Sequence, residues 1–227
     1  FEIVGNNLTF NEFSDLTRPE LNNNEIETTV DKRAIESSSN LTELYLINNK
    51  LDGISFKTLA DLTSLNLSNN QIKTIDEKAF ETCSNLTELY LDNNKLTTLN
   101  ENTFKNLKKL ISLNLSYNKI DKIEVNLFEE CSDLTELYIT NNKLTAIKDQ
   151  TFEKLNKLIK LDLTNNSILN ELKLAFEFMD QSLVNLNFSF NFIHSINLEL
   201  KGNNYENVNI NISSNDFQDF SKICIIS

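Results

Sequence analysis

Apolar and polar positions alternate along this chain in a fixed unit, L-x-x-L-x-L-x-x-N-x-L. It stands nearly complete in Leu86-Thr-Glu-Leu89-Tyr-Leu91-Asp-Asn-Asn94-Lys-Leu96. The unit recurs from Leu41, Leu62, Leu110, Leu134, Leu158 and Leu183, at a spacing of roughly 24 residues. A repeat of that length is one turn of a solenoid, whose apolar face is buried only against its neighbours. The paired leucines, such as Leu89 and Leu91, predict the inward face of a short strand with the residue between them turned outward.

Two further columns follow the strand. An asparagine recurs at Asn6, Asn24, Asn49, Asn70, Asn94, Asn118, Asn142, Asn166, Asn191 and Asn215. An amide both donates and accepts, so this column predicts a buried ladder tying the backbones of successive turns. Phe56, Phe80, Phe104, Phe128 and Phe152 form the other column, followed three residues later by Leu59, Cys83, Leu107, Cys131 and Leu155. That spacing predicts a turn of helix or 3-10 helix on the convex side, its apolar face turned inward.

The unit from Leu86 to Leu107 resembles the extracellular "typical" class of leucine-rich repeats, found in Toll-like receptor ectodomains and secreted invertebrate immune proteins. The resemblance covers essentially the whole chain. It implies an α/β solenoid: a horseshoe of about ten repeats with a parallel sheet on its concave face and short helical or 3-10 segments on its convex face. It also implies ligand binding without catalysis and a place outside the cell. The chain reads as a single domain over 1–227, with irregular ends at roughly 1–40 and 207–227. The ends depart from the pattern: Pro19 takes a strand position, Asn207 replaces a leucine, and the cysteine-rich caps usual in extracellular members are absent. Phe217, Phe220, Ile223, Ile225 and Ile226 are expected to cover the last turn. The start at Phe1 lacks the basic and apolar segments of a signal peptide, and Phe1, Ile3, Asn6 and Leu8 already read as part of a repeat.

Recognition is expected on the outward strand positions. One column runs Glu20, Tyr45, Asn66, Tyr90, Asn114, Tyr138, Asp162, Asn187 and Asn211; the other runs Arg18, Glu43, Ser64, Glu88, Ser112, Glu136, Lys160, Asn185 and Asn209. A Tyr–Glu pair therefore marks alternate turns, and Glu43, Tyr45, Glu88, Tyr90, Glu136 and Tyr138 are the candidate ligand-binding residues. Tyrosine supplies rigid contact area with a polar tip, and glutamate favours a basic partner. The competing reading is a solvated polar face. A duplicated two-repeat unit, visible in Cys83-to-Tyr90 against Cys131-to-Tyr138, could by itself produce such a pattern.

The net charge of −12 disfavours nucleic acid and anionic lipid as partners. No apolar run is long enough to span a membrane. The expected partner is a protein, basic in character, or a microbial surface molecule. One histidine, His194, and the absence of paired-cysteine, H-E-x-x-H, G-x-S-x-G or phosphate-loop motifs give no expectation of an enzyme, a metal or a cofactor.

Cys83 and Cys131 lie two turns apart, about 10 Å, beyond disulfide reach, and are expected to be buried free thiols. Cys224 is either an apolar filler or an intermolecular disulfide that would make a dimer. N-glycosylation candidates are Asn7, Asn40, Asn66, Asn85, Asn114, Asn165, Asn187 and Asn211. Two alternatives to the extracellular recognition module remain: a structural or adhesion protein acting by lateral assembly, and an intracellular scaffold or inhibitor.

Overall fold

A computed structural model describes residues 2–4, 7–9, 17–27, 41–54, 59–177, 184–201, 208–217 and 223–226; side chains are described outside 2–4, 7–9 and 223–226. In chain order the strands are β1 (Glu2–Val4), β2 (Asn7–Thr9), β3 (Glu43–Tyr45), β4 (Gly53–Ile54), β5 (Ser64–Asn66), β6 (Thr74–Ile75), β7 (Glu88–Tyr90) and β8 (Ser112–Asn114). They continue with β9 (Glu136–Tyr138), β10 (Lys160–Asp162), β11 (Leu169–Glu177), β12 (Val184–Asn187), β13 (Phe192–Lys201), β14 (Val208–Asn211) and β15 (Ile223–Ile226).

An inward leucine flanked by two outward residues makes each short strand. In β3, Leu44 is sealed while Glu43 and Tyr45 on either side are half-buried. Stacked in register, these strands form an eight-stranded parallel sheet in the order β14-β12-β10-β9-β8-β7-β5-β3. Glu20 adds a parallel bridge to Tyr45 at the β3 edge. Pro19 is buried just before it, at a sheet edge where its missing N–H takes nothing from a ladder. The coil containing Pro19 therefore stacks on the array.

The asparagine column is the ladder that its spacing predicts. Asn94 donates from Nδ2 to the Leu91 carbonyl of its own coil at 3.1 Å and to the Leu67 carbonyl of the coil before at 2.9 Å. Its Oδ1 accepts the Ile72 N–H at 3.0 Å. Asn70, Asn118, Asn142, Asn166 and Asn191 are also buried and repeat these contacts. Asn215 does so half-buried. Asn6 lies outside the described residues.

One residue before each described ladder asparagine, the backbone turns into the left-handed region. Asn23, Asn48, Asn69, Asn93, Asn141 and Asn165 hold φ between 54° and 60°. Asparagine tolerates that conformation, but Tyr117 and Phe190, at φ 55° and 54°, adopt it with bulky side chains.

Five phenylalanines stack behind the ladder. Ring centroids of Phe80, Phe104, Phe128, Phe152 and Phe176 are successively 6.3, 6.2, 6.0 and 6.3 Å apart. Phe176, 24 residues after Phe152, extends by one coil the column named from the sequence, and Phe56 lies outside the described residues. Cys83 and Cys131 are free and buried in the adjoining column.

Three expectations need correction. First, no helix or 3-10 helix forms among the described residues. The convex path between 76 and 86 closes as separate turns: Ala79 N–H to Asp76, Glu81 to Lys78, Cys83 to Phe80 and Leu86 to Cys83. A helix needs consecutive bonds, and Asp76 and Asn100 divert the local backbone by taking the Lys78 and Asn102 N–H groups on their side chains at 2.9 and 2.8 Å.

Second, the described residues form fewer than ten repeats. The concave sheet holds eight strands, and the segment expected to be a first repeat is a hairpin, β1 antiparallel to β2 with Val4 opposite Asn7. Gly5-Asn6, the pair between them, is a favoured composition for a two-residue hairpin connection.

Third, the convex side of the last coils is itself a parallel sheet, β11-β13-β15. In it Leu172, Leu174 and Phe176 lie opposite Ile196, Leu198 and Leu200, all buried. The pairing slips between Asn170 and Glu171, where His194 is the extra residue of the partner strand, exposed, with Nδ1 3.1 Å from the Phe192 carbonyl. β15 pairs with β13 along Ile196 to Glu199, so the chain end covers the convex edge by backbone pairing. Phe217, half-buried, packs on the core; Phe220 and Asn207 lie outside the described residues.

Candidate functional site

The concave sheet aligns its outward residues in two straight rows. Register places Tyr45 beside Asn66, Asn66 beside Tyr90, Tyr90 beside Asn114, Asn114 beside Tyr138 and Tyr138 beside Asp162. The same pairings align Glu43, Ser64, Glu88, Ser112, Glu136 and Lys160. All six candidate binding residues therefore share one face, each half-buried. Tyrosines on alternate strands stand about 10 Å apart.

Within a coil the tyrosine and glutamate bond each other. Tyr45 donates its hydroxyl to Glu43 Oε2 at 2.7 Å, and Tyr138 donates to Glu136 Oε2 at 3.0 Å. Glu88 instead accepts the Ser64 hydroxyl at 3.1 Å. The bond to Glu43 raises the Tyr45 pKa, with burial adding to it. For Tyr90 burial comes first and the charge of Glu88 second; for Tyr138 burial again dominates. All three phenols are therefore neutral at physiological pH.

Two residues of the glutamate column that were not among the candidate contact residues complete the rows. The Arg18 guanidinium lies 5.1 Å from the Tyr45 ring centroid, with Nε 3.1 Å from Glu43. Lys160 Nζ lies 4.7 Å above the Tyr138 ring. Both belong to the column that contains the glutamates, so a cation one coil from a tyrosine was the readable signal.

The intervening coils end differently. Asn66, Asn114, Asp162, Asn187 and Asn211 each accept, on the side-chain oxygen, the N–H two residues on, at 3.0 to 3.2 Å. Lys160, Asp162, Asn185, Asn187, Asn209 and Asn211 line a polar depression of about 380 Å³ at the β14 end.

The glycosylation candidates divide by place. Asn66, Asn114, Asn187 and Asn211 lie on the concave sheet, the first three half-buried and Asn211 exposed. Asn85 is half-buried on the convex path, donating to the Ala60 carbonyl at 3.0 Å and accepting from Lys109 at 2.8 Å. Asn165 is exposed and donates to Asn141 Oδ1 at 2.6 Å. Asn7 lies in β2, Cys224 pairs in β15 opposite Asn197, and the side chains of both, like all of Asn40, lie outside the described residues. Burial pushes the Cys83 and Cys131 thiols up to about 12. No helix among the described residues is long and apolar enough to cross a membrane.

A family model described as the BspA type leucine rich repeat region matches residues 49–177 in six copies. No curated protein sequence matches the chain. Among solved structures, the APL1 leucine-rich repeat domain superposes with a TM-score of 0.70 at 24% identity, over 88% of this chain and 50% of that one. The Drosophila Toll–Spatzle complex matches with a TM-score of 0.67 at 22% identity, over 87% of this chain and 32% of that one. The TLR13–ssRNA13 complex gives 0.63 at 25% identity, over 82% and 25%. The chain thus spans half or less of the length of these solved chains, and the likeness is one of fold.

Proposed function

The chain belongs to the leucine-rich repeat proteins of the BspA type, and from that premise we propose that it is a non-enzymatic recognition module, working outside the cell, that binds a protein through its concave face. The observation that carries this reading is the row of half-buried Tyr–Glu pairs aligned by the parallel register. Aromatic rings held rigidly on a sheet lose little entropy when a partner covers them. Solved structures of the same fold point the same way, holding Spatzle on Toll and joining LRIM1 to APL1C. One of them holds single-stranded RNA, but the −12 charge here favours a protein ligand, basic where it meets the glutamates. In this reading the chain is a single leucine-rich repeat domain over 1–227, irregular at roughly 1–40 and 207–227, of the extracellular "typical" class, with Glu43, Tyr45, Glu88, Tyr90, Glu136 and Tyr138 as its contact residues.

Replacing Tyr90 and Tyr138 together by Ala is expected to weaken capture of a partner from native fluid at least tenfold while the melting temperature stays within a few degrees. Undiminished capture by the double variant would remove the concave face from the mechanism. Buried, unpaired Cys83 and Cys131 favour one other reading, an intracellular scaffold. N-glycan found on the native protein at Asn165 or Asn211, both exposed, would exclude it.

A further inference from the structure

The Tyr–Glu unit occurs three times on the concave sheet, and its surroundings differ in one respect. At Tyr45 a cation from the preceding coil lies over the ring: Arg18, 5.1 Å from the centroid and ion-paired with Glu43 at 3.1 Å. At Tyr138 a cation from the following coil does the same: Lys160, 4.7 Å from the centroid, in register with Glu136. The middle unit, Tyr90 with Glu88, has Ser64 and Ser112 at the two corresponding positions. Neither serine is long enough to cover a ring. Among the described residues, the rings with a cation over them are Tyr45 and Tyr138. The donor to the Glu88 carboxylate is the neutral Ser64 hydroxyl.

The molecule thus supplies two filled copies of an arrangement and one open copy between them. An aromatic face attracts a cation through its quadrupole, and an adjoining carboxylate adds charge in the same direction. Glu136 stands one coil beyond Ser112, so a second carboxylate faces the same gap. Burial first, and then the charges of Glu88 and Glu136, raise the Tyr90 pKa, while a hydrogen bond with Ser112 opposes them. We infer that Tyr90, flanked by Glu88 and Glu136, receives one cationic side chain, arginine or lysine, from a polypeptide partner, in the place that Arg18 and Lys160 take on the neighbouring rings. This inference rests on the concave-face reading and narrows it to one residue and one chemistry.

The test follows the Tyr90 ring by NMR, assigned with a Tyr90→Phe variant, during titration with the peptide (Gly-Ser-Arg)3 and with its citrulline counterpart. Citrulline keeps the shape of arginine and removes the charge. The expected result is a saturable shift of the Tyr90 signal, larger than those of Tyr45 and Tyr138, with the arginine peptide and none with citrulline. Ser112→Lys builds at Tyr90 the relation that Lys160 has to Tyr138, and should weaken binding at least tenfold by filling the gap from within. Ser112→Ala should leave binding unchanged. If Ser112→Lys does not fold, Glu88→Gln serves in its place, with a loss of several-fold expected. A Tyr90 signal unmoved by the arginine peptide, moved equally by citrulline, or moved equally in Ser112→Lys would overturn the inference. Native partner capture separates the two levels. Capture lost in the double Tyr variant but intact in Ser112→Lys sinks the cation site and spares the concave face. Capture indifferent to both sinks the two together.

Discussion

At the scale of single residues, Asn118 carries more of the structure than its size suggests. Its Nδ2 reaches the Leu91 and Leu115 carbonyls at 2.9 and 3.0 Å, and its Oδ1 accepts the Leu96 N–H at 3.0 Å. Alanine there would leave buried backbone groups of two coils without partners. The expected cost is about 1–3 kcal/mol, read from urea unfolding of Asn118→Ala against wild type. The buried thiols make a second residue-scale case. A thiolate, not a thiol, attacks an alkylating reagent, and burial holds both groups protonated up to about 12. Peptide mapping after iodoacetamide treatment at pH 8 should find Cys83 and Cys131 unmodified in the folded protein and modified in denaturant. The sign of the linkage follows: the folded pKa lies above the ordinary 9.0, so this contribution to stability is complete below pH 9 and is lost as pH rises towards 12.

Among elements, the phenylalanine stack and the convex sheet behave differently. Phe128 sits between Phe104 and Phe152 at 6.2 and 6.0 Å, so Phe128→Ala opens a cavity walled by two coils. A loss of about 3–5 kcal/mol is expected in thermal or denaturant unfolding. This column and the asparagine ladder were legible because each recurs in every central coil with one residue type. Much of the rest was legible only locally. Leu172-x-Leu174-x-Phe176 and Ile196-x-Leu198-x-Leu200 alternate with the period of a strand, yet lie where the preceding coils have turns. The hairpin of β1 and β2 imitates the spacing of a repeat, and only Gly5 hints at a reversal. At the candidate site, the rows of Tyr and Glu followed from register alone. The placement of Arg18 and Lys160 over the rings depends on side-chain direction across coils, which spacing does not encode.

For the whole molecule, stability is a sum over neighbouring coils rather than a property of a common centre. Central coils are sealed on both sides: Leu89, Leu113 and Leu137 are each 0% exposed. Val208, Ile210 and Ile212 at the β14 end are only partly buried. Amide hydrogen exchange should therefore be slowest in β7, β8 and β9 and faster towards β14, with no single exchange free energy shared by all strands. Uniform protection along the array would contradict this.

The ladder has one more consequence, for how such a chain can change in heredity. Each central asparagine addresses the coil before it through the same two groups, one carbonyl and one N–H, and Cys83-to-Tyr90 is matched by Cys131-to-Tyr138. Excising 83–130 would join Thr82 to Cys131 and offer every severed donor an equivalent acceptor. Unequal recombination between such units therefore shortens or lengthens the face in whole increments, about 10 Å for a pair of coils, while leaving its folding chemistry intact.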